Sequence, residues 1–255
     1  MTEEMWTYVF LGLTAFIAGV MNSIAGGGTL LTFPALTGVV SAALANGTST
    51  VALMPGSLAG AFAFRREVRE SRRFLLQMLL PSVVGGALGA WLVSLDEKRF
   101  ASLVPWLILT AAVLFLLQQP LNRWLRKHRP DHEPGKFTQI GLLIFQFFVA
   151  VYGGYFGAGI GILMLTALGF MGVGDIHKMN AVKTCLAFVI NGVAAGIFIA
   201  NGLVAWKYAL PMAVCAILGG YTGASVSRRL PATVVRWIII VVGFGLSVYY
   251  FVKNA

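Results

Sequence analysis

The stretch FLLQMLLPSVVGGALGAWLVSL, residues 74–95, carries no charged side chain and matches the ~20 apolar residues with which a helix crosses a bilayer. Arg72 and Arg73 precede it and Asp96, Glu97, Lys98 and Arg99 follow it, so both ends are marked by charge. Gly85, Gly86, Gly89 and Ala90 are small residues of the kind that let helix backbones approach closely in lipid. The same pattern returns 134 positions later: Met78 matches Met212, Gly85-Gly86 matches Gly219-Gly220, and Gly89-Ala90 matches Gly223-Ala224. One stretch therefore predicts both a membrane helix and a duplicated chain.

Further apolar runs fill the sequence on either side. Residues 6–22 precede the break Ala25-Gly26-Gly27-Gly28-Thr29, and residues 30–45 carry Pro34 and Gly38, which predict a kink or split. Residues 46–64, 74–95 and 100–118 complete the first half. The second half repeats the plan with residues 137–156, the break Gly157-Ala158-Gly159-Ile160-Gly161, and runs at 162–171, 180–200, 208–226 and 234–252. The offset of 134 also pairs Asn46 with Asn180, Thr50 with Thr184, Ala61 with Ala195 and Phe64 with Phe198, and an offset of 132 aligns the glycine breaks. Weak internal symmetry of this kind marks transporter folds. The expected fold is an all-α polytopic membrane protein with two inverted repeats of about five helical segments each and glycine-broken helices. Residues 1–121 form the first repeat, 122–136 a basic cytoplasmic linker and 137–255 the second repeat.

Inversion follows from an odd number of crossings, and loop charge tests it. The linker at 65–73 holds five arginines, whereas its counterpart at 199–207 holds only Lys207 as a basic residue; the near-neutral 96–99 linker corresponds to the region of Arg228 and Arg229. The bias swaps sides between equivalent loops, as inversion requires. With residues 65–73 in the cytoplasm, fourteen of the nineteen basic residues lie inside, including the central linker, Lys178 and Arg236. Were each glycine-broken pair a re-entrant hairpin, the crossings would number six.

Composition excludes several classes. Charged residues are 11% of the chain, far below the roughly 25% of soluble domains, and the net charge of +10 lies in short loops rather than on an aromatic-studded basic face. Nucleic acid is therefore not an expected partner. Glu3 and Glu4 without a basic residue before Thr7 do not make the n-region of a cleaved signal, so the first apolar segment is expected to remain in the protein. Cys185 and Cys215 lie in apolar runs as small core residues, and His128, His132 and His177 lie in linkers. No nucleophile, base or metal set is visible, no Walker motif appears, and no cofactor is expected.

Polar groups inside the apolar runs are the candidates for function. Lys183 has no acidic neighbour in sequence and is the expected attractor of an anion; the competing reading is a lysine that snorkels from a first turn. Asn46 and Asn180 read as helix starts, with Thr48, Ser49, Thr50 and Thr184 in the following turn, giving donor-rich N-termini that favour negative charge. Asn22, Gly27, Gly28 and Gly159 at the breaks add backbone and amide donors. Ser57, Gln146 and Asn191 read as interhelical hydrogen bonds.

The paired patterns Ala25-Gly26-Gly27-Gly28-Thr29…Pro34…Ala45-Asn46-Gly47-Thr48-Ser49 and Gly157-Ala158-Gly159-Ile160-Gly161…Asn180-Ala181-Val182-Lys183-Thr184 resemble the sulfite exporter TauE/SafE family, also called the toluene-sulfonate uptake permeases. Gly202-Leu203-Val204-Ala205-Trp206 is similar to the family's Gly-Leu-Val-Asp-Trp element, with Ala205 in place of the acid. The second glycine break is less regular than the family's, and Thr166 stands where a proline is common. The resemblance implies secondary transport of small anions such as sulfite or sulfonates across the inner or plasma membrane of a bacterial-type cell. Alternating access around Lys183 and the Asn, Ser and Thr groups is the expected mechanism. An anion channel or a non-catalytic scaffold subunit are the alternatives. The lipid bilayer, the anion, a proton or sodium as coupling ion, and further copies of the chain are the partners this reading admits.

Overall fold

Lipid offers no partner for free backbone N–H and C=O groups, so apolar runs of this length fold as helices that satisfy their own hydrogen bonds. The computed structural model describes residues 3–24, 27–63, 65–127, 135–173, 175–226 and 232–254, and its described elements are eleven helices. In the first half these are α1 (Glu3–Ile24), α2 (Thr29–Thr37), α3 (Ala42–Ala63), α4 (Arg65–Glu70), α5 (Arg72–Leu95) and α6 (Glu97–Lys127). The second half contributes α7 (Lys136–Tyr155), α8 (Ile160–Phe170), α9 (Ile176–Ala200), α10 (Trp206–Val226) and α11 (Ala232–Asn254). Among the described residues, five helices are long and apolar enough to cross a membrane: Glu3–Asn22, Arg72–Leu95, Glu97–Leu121, Lys136–Tyr155 and His177–Ala200. The chain is an all-α, polytopic membrane protein.

Several boundaries differ from the sequence reading. The run at 30–45 splits after Thr37, and α3 begins at Ala42, so Asn46 lies in its second turn and does not start the helix. Asn180 is likewise interior, because Asp175 caps α9 by accepting a hydrogen bond from the His177 N–H at 2.7 Å. Residues 122–127 continue α6, since no proline or glycine stops the helix between Leu121 and Lys127. Part of the arginine-rich linker is itself the short helix α4. Ala25, Gly26, residues 128–134, Arg228 and Arg229, and the side chain of Arg236, lie outside the described residues.

The packing exchanges elements between the halves. α1 packs along α10, and its sequence counterpart α7 packs along α5; α3 packs on α10 as α9 packs on α5. These seams are made by glycine. A Cβ on Gly219 would fall onto the Phe16 carbonyl, and one on Gly154 onto the Gly86 carbonyl, so the two backbones are in direct contact at both places.

The counterpart helices α3 and α9 touch each other and run in opposite directions. Ala205, just past the end of α9, donates its N–H to Thr48 Oγ1 near the start of α3 at 2.9 Å. At the other end Glu70, just past the end of α3, pairs with Lys178 near the start of α9 at 3.0 Å. The counterparts α6 and α11 are also antiparallel: Ser247 donates to the Pro105 carbonyl at 3.3 Å and the ring of Phe251 meets Trp106 at 5.0 Å, while Gly243 lies against Ala112.

Candidate functional site

Both glycine breaks open onto one cavity of about 310 Å³ between the halves. Gly27 and Gly159, equivalent by the 132 offset, both line it and both hold left-handed backbone, with φ of 90° and 81°. Only glycine adopts this region without steric penalty, which is why the chain can end one helix and begin the next inside the protein. Asn22 completes the first break, its Oδ1 accepting the Gly28 N–H at 2.8 Å while the residue lines the cavity.

The helices α3 and α9 supply matching polar positions. Thr50 and Thr184 line the cavity, and each donates its hydroxyl to the carbonyl four residues back, Asn46 and Asn180, at 2.8 Å. Ser57 and Asn191 are a second equivalent pair in the wall, and Gln118 from α6 adds another amide. Apolar walls come from Phe115, Phe156, Ile162 and Leu165.

Charge enters at one point. Lys183 is the one ionisable side chain among the described lining residues, and its Nζ donates to Asn180 Oδ1 at 3.0 Å. Its aliphatic stem passes Gly161, where a Cβ would approach the lysine Cδ to 3.2 Å. Lys183 is the eighth residue of α9, well past the first turn from which snorkelling was the alternative.

The remaining sequence candidates are used in packing. Asn46 is buried and donates Nδ2 to the Tyr155 carbonyl at 3.0 Å, and its Oδ1 has no hydrogen-bond partner. Thr48 accepts from Ala205, and Ser49 is hydrogen bonded to Thr32 at 2.6 Å. Gly28 sits against Ala18 and Asn22 outside the lining. The structure thus gathers Lys183, Asn180, Thr184, Asn22, Gly27 and Gly159 at the cavity, and leaves Asn46, Thr48, Ser49 and Gly28 behind it. Ser57 and Asn191, read from sequence as interhelical bonds, are in the wall; Gln118, at the polar end of an apolar run, was not singled out. Gln146 does make the interhelical bond, donating to Ser82 Oγ at 2.9 Å.

Behind one wall of the cavity lies a cluster of aromatic rings. Phe156, in its wall, meets Phe33 edge to face at 5.2 Å; Phe33 meets Phe100 at 6.3 Å and Phe100 meets Tyr155 at 5.3 Å. Phe33, Phe100 and Phe156 are fully or almost fully buried.

Residues 11–250 match the profile of the sulfite exporter TauE/SafE family. The chain belongs to that family. A probable membrane transporter protein of Haemophilus influenzae is 32% identical over 91% of this chain and 89% of its own length. The probable membrane transporter protein ORF9 of Sinorhizobium sp is 29% identical over 94% of this chain and 90% of its own. YfcA of Escherichia coli, also a probable membrane transporter protein, is 29% identical over 93% of this chain and 87% of its own. No solved structure matches. This TauE/SafE member is a multi-pass integral membrane transporter and not an enzyme, and its bacterial relatives point to the inner membrane.

Proposed function

We propose that this TauE/SafE protein is a secondary transporter that carries small anions, sulfite or organic sulfonates, by alternating access between two inverted halves. The observation that carries the reading is Lys183, the lone ionisable side chain in the described wall of a cavity enclosed by glycine breaks from both halves. An ammonium at membrane depth attracts an anion strongly because little solvent screens it. Amide groups from Asn22 and Asn191 supply donors for sulfonate oxygens, and the apolar wall suits a small organic substituent.

Inversion is supported by the antiparallel course of α3 against α9 and of α6 against α11. The arginines of residues 65–73 and Lys178 share one face through Glu70, and the positive-inside rule makes that face cytoplasmic. The aromatic cluster of Phe33, Phe100, Tyr155 and Phe156 backs the cavity wall at Phe156, and such close packing favours a carrier over an open pore. Purified protein in proteoliposomes should show saturable counterflow of sulfite or a sulfonate, and Lys183→Ala should abolish it. Unchanged transport of all tested anions by Lys183→Ala would sink the proposal.

A further inference from the structure

We propose that this carrier moves a proton with each anion, and that the Lys183 amine holds the proton; the inference rests on the transport reading above. The starting observation is what surrounds the ammonium. Its hydrogen-bond partner is the neutral Asn180 Oδ1, and no carboxylate is among the described lining residues.

The elements packed against α9 bring no counter-charge to it. α3 faces the cavity with Thr50 and Ser57, and α8 contains no titratable side chain. α7 contributes Tyr155 and Tyr152, whose hydroxyl donates to the Ala158 carbonyl at 2.9 Å. α5 carries Arg72 and Arg73, exposed at its start. On α4, exposed Glu70 is taken by Lys178 and Arg66, and Glu67, Arg65 and Arg69 share that helix. α9 itself adds His177, exposed at its start, and half-buried Cys185.

A carrier must reorient twice per cycle, once loaded and once empty. With an anion bound, the ammonium and its ligand neutralise each other. Without one, the same ammonium would have to reorient as an unpaired charge in a low-dielectric site, which is strongly unfavourable. Releasing the proton together with the anion removes that barrier. The neutral amine keeps N–H groups with which to hold Asn180 Oδ1, so the local geometry survives. The balance is simple: one proton and one monovalent anion bind on one side, both leave on the other, and the empty carrier returns uncharged. Transport is electroneutral. A sodium ion does not serve in this role, because its departure would leave the ammonium still charged in the empty carrier.

Methanesulfonate is the probe, because it stays fully ionised and cannot carry the proton itself. Wild-type vesicles should acidify internally as labelled methanesulfonate enters, one proton per anion, with a rate unaffected by clamping the membrane potential. Lys183→Arg keeps a permanent charge, so counterflow should persist while net uptake falls by roughly two orders of magnitude. Uptake without acidification, or a rate that follows the membrane potential, overturns the inference; so does a Lys183→Arg protein with normal proton-coupled net uptake. If the arginine variant does not fold, wild-type stoichiometry and potential dependence still decide. Absence of methanesulfonate counterflow in the wild type overturns sulfonate transport itself, and the proton coupling with it.

Discussion

Asn180 accepts a hydrogen bond from Lys183 at 3.0 Å, one turn further along the same helix, while the equivalent pair in the first half, Asn46 and Ser49, is not bonded in this way. The asparagine recurs at the equivalent position and the charged group does not. Asn180 therefore acts as the positioner of the ammonium. Asn180→Ala should weaken anion binding by roughly tenfold, the usual magnitude for a hydrogen bond to a charged group. Anion-induced thermal stabilisation in detergent measures this. An unchanged midpoint concentration would show that Lys183 needs no partner.

The two exchanged seams should be intolerant of a single methyl group. Gly154→Ala and Gly219→Ala each drive a Cβ into a facing backbone carbonyl, so each should destabilise by about 1–3 kcal/mol, as overpacking does. Gly245, with nothing within 4 Å of its built Cβ, is the control. Thermal unfolding in detergent should fall for the first two and stay near wild type for Gly245→Ala.

At the breaks, Gly27→Ala should be worse than Gly159→Ala. Both force a side chain into left-handed backbone, a penalty of about 1–2 kcal/mol, but only at Gly27 does the new Cβ also meet the Phe115 ring, at 2.5 Å. Shortening that ring with Phe115→Leu should recover part of the Gly27→Ala loss and none of the Gly159→Ala loss. Equal behaviour of the two double variants in a thermal unfolding assay would refute this difference.

Paired cysteines test the antiparallel course of α3 and α9. Glu70→Cys with Lys178→Cys, and Thr48→Cys with Ala205→Cys, should each be linked by a bifunctional thiol reagent of side-chain length. In right-side-out vesicles an impermeant thiol reagent should reach Cys at 205 and not Cys at 70. Labelling of both from one side would rule out inversion.

Glu70 also gives a pH dependence outside the membrane. The Lys178 ammonium, hydrogen bonded to it and aided by Arg66, holds the carboxyl below the ordinary glutamate value of 4.5. A depressed carboxylate contributes stability above its unfolded value, and that contribution is lost as the pH falls through the folded one. Wild-type protein should therefore exceed Glu70→Gln slightly in melting temperature at neutral pH and converge with it in acid. The gap should also close in high salt, because the pair is exposed.

Much of the architecture is legible in the residues because apolar length and charge are local properties. The run at 74–95 reads as a helix from composition alone, and α5 spans it. The helix α4 was not legible, since Arg65–Glu70 is polar but for Val68 and is docked by Glu70 on the distant Lys178. Asn46 and Asn180 were misread as helix starts because asparagine favours caps, yet the cap belongs to Asp175 and α3 begins at Ala42. At the site, Lys183 stands out as a charge in an apolar run. Nothing local separates Asn191, which lines the cavity, from Asn46, which is turned onto the Tyr155 carbonyl; helix rotation decides that, and it is set by packing.

The exchange of helices across the halves has a consequence for how the chain is made. α1 is made long before the surface it fits, α10. Throughout that interval Gly12, Gly19 and their neighbours are a bare seam that lipid, or another nascent chain, is free to occupy. Contacts so distant in sequence make assembly slow and expose intermediates to mispairing. A chain arrested before α10 would lack the partner of that seam.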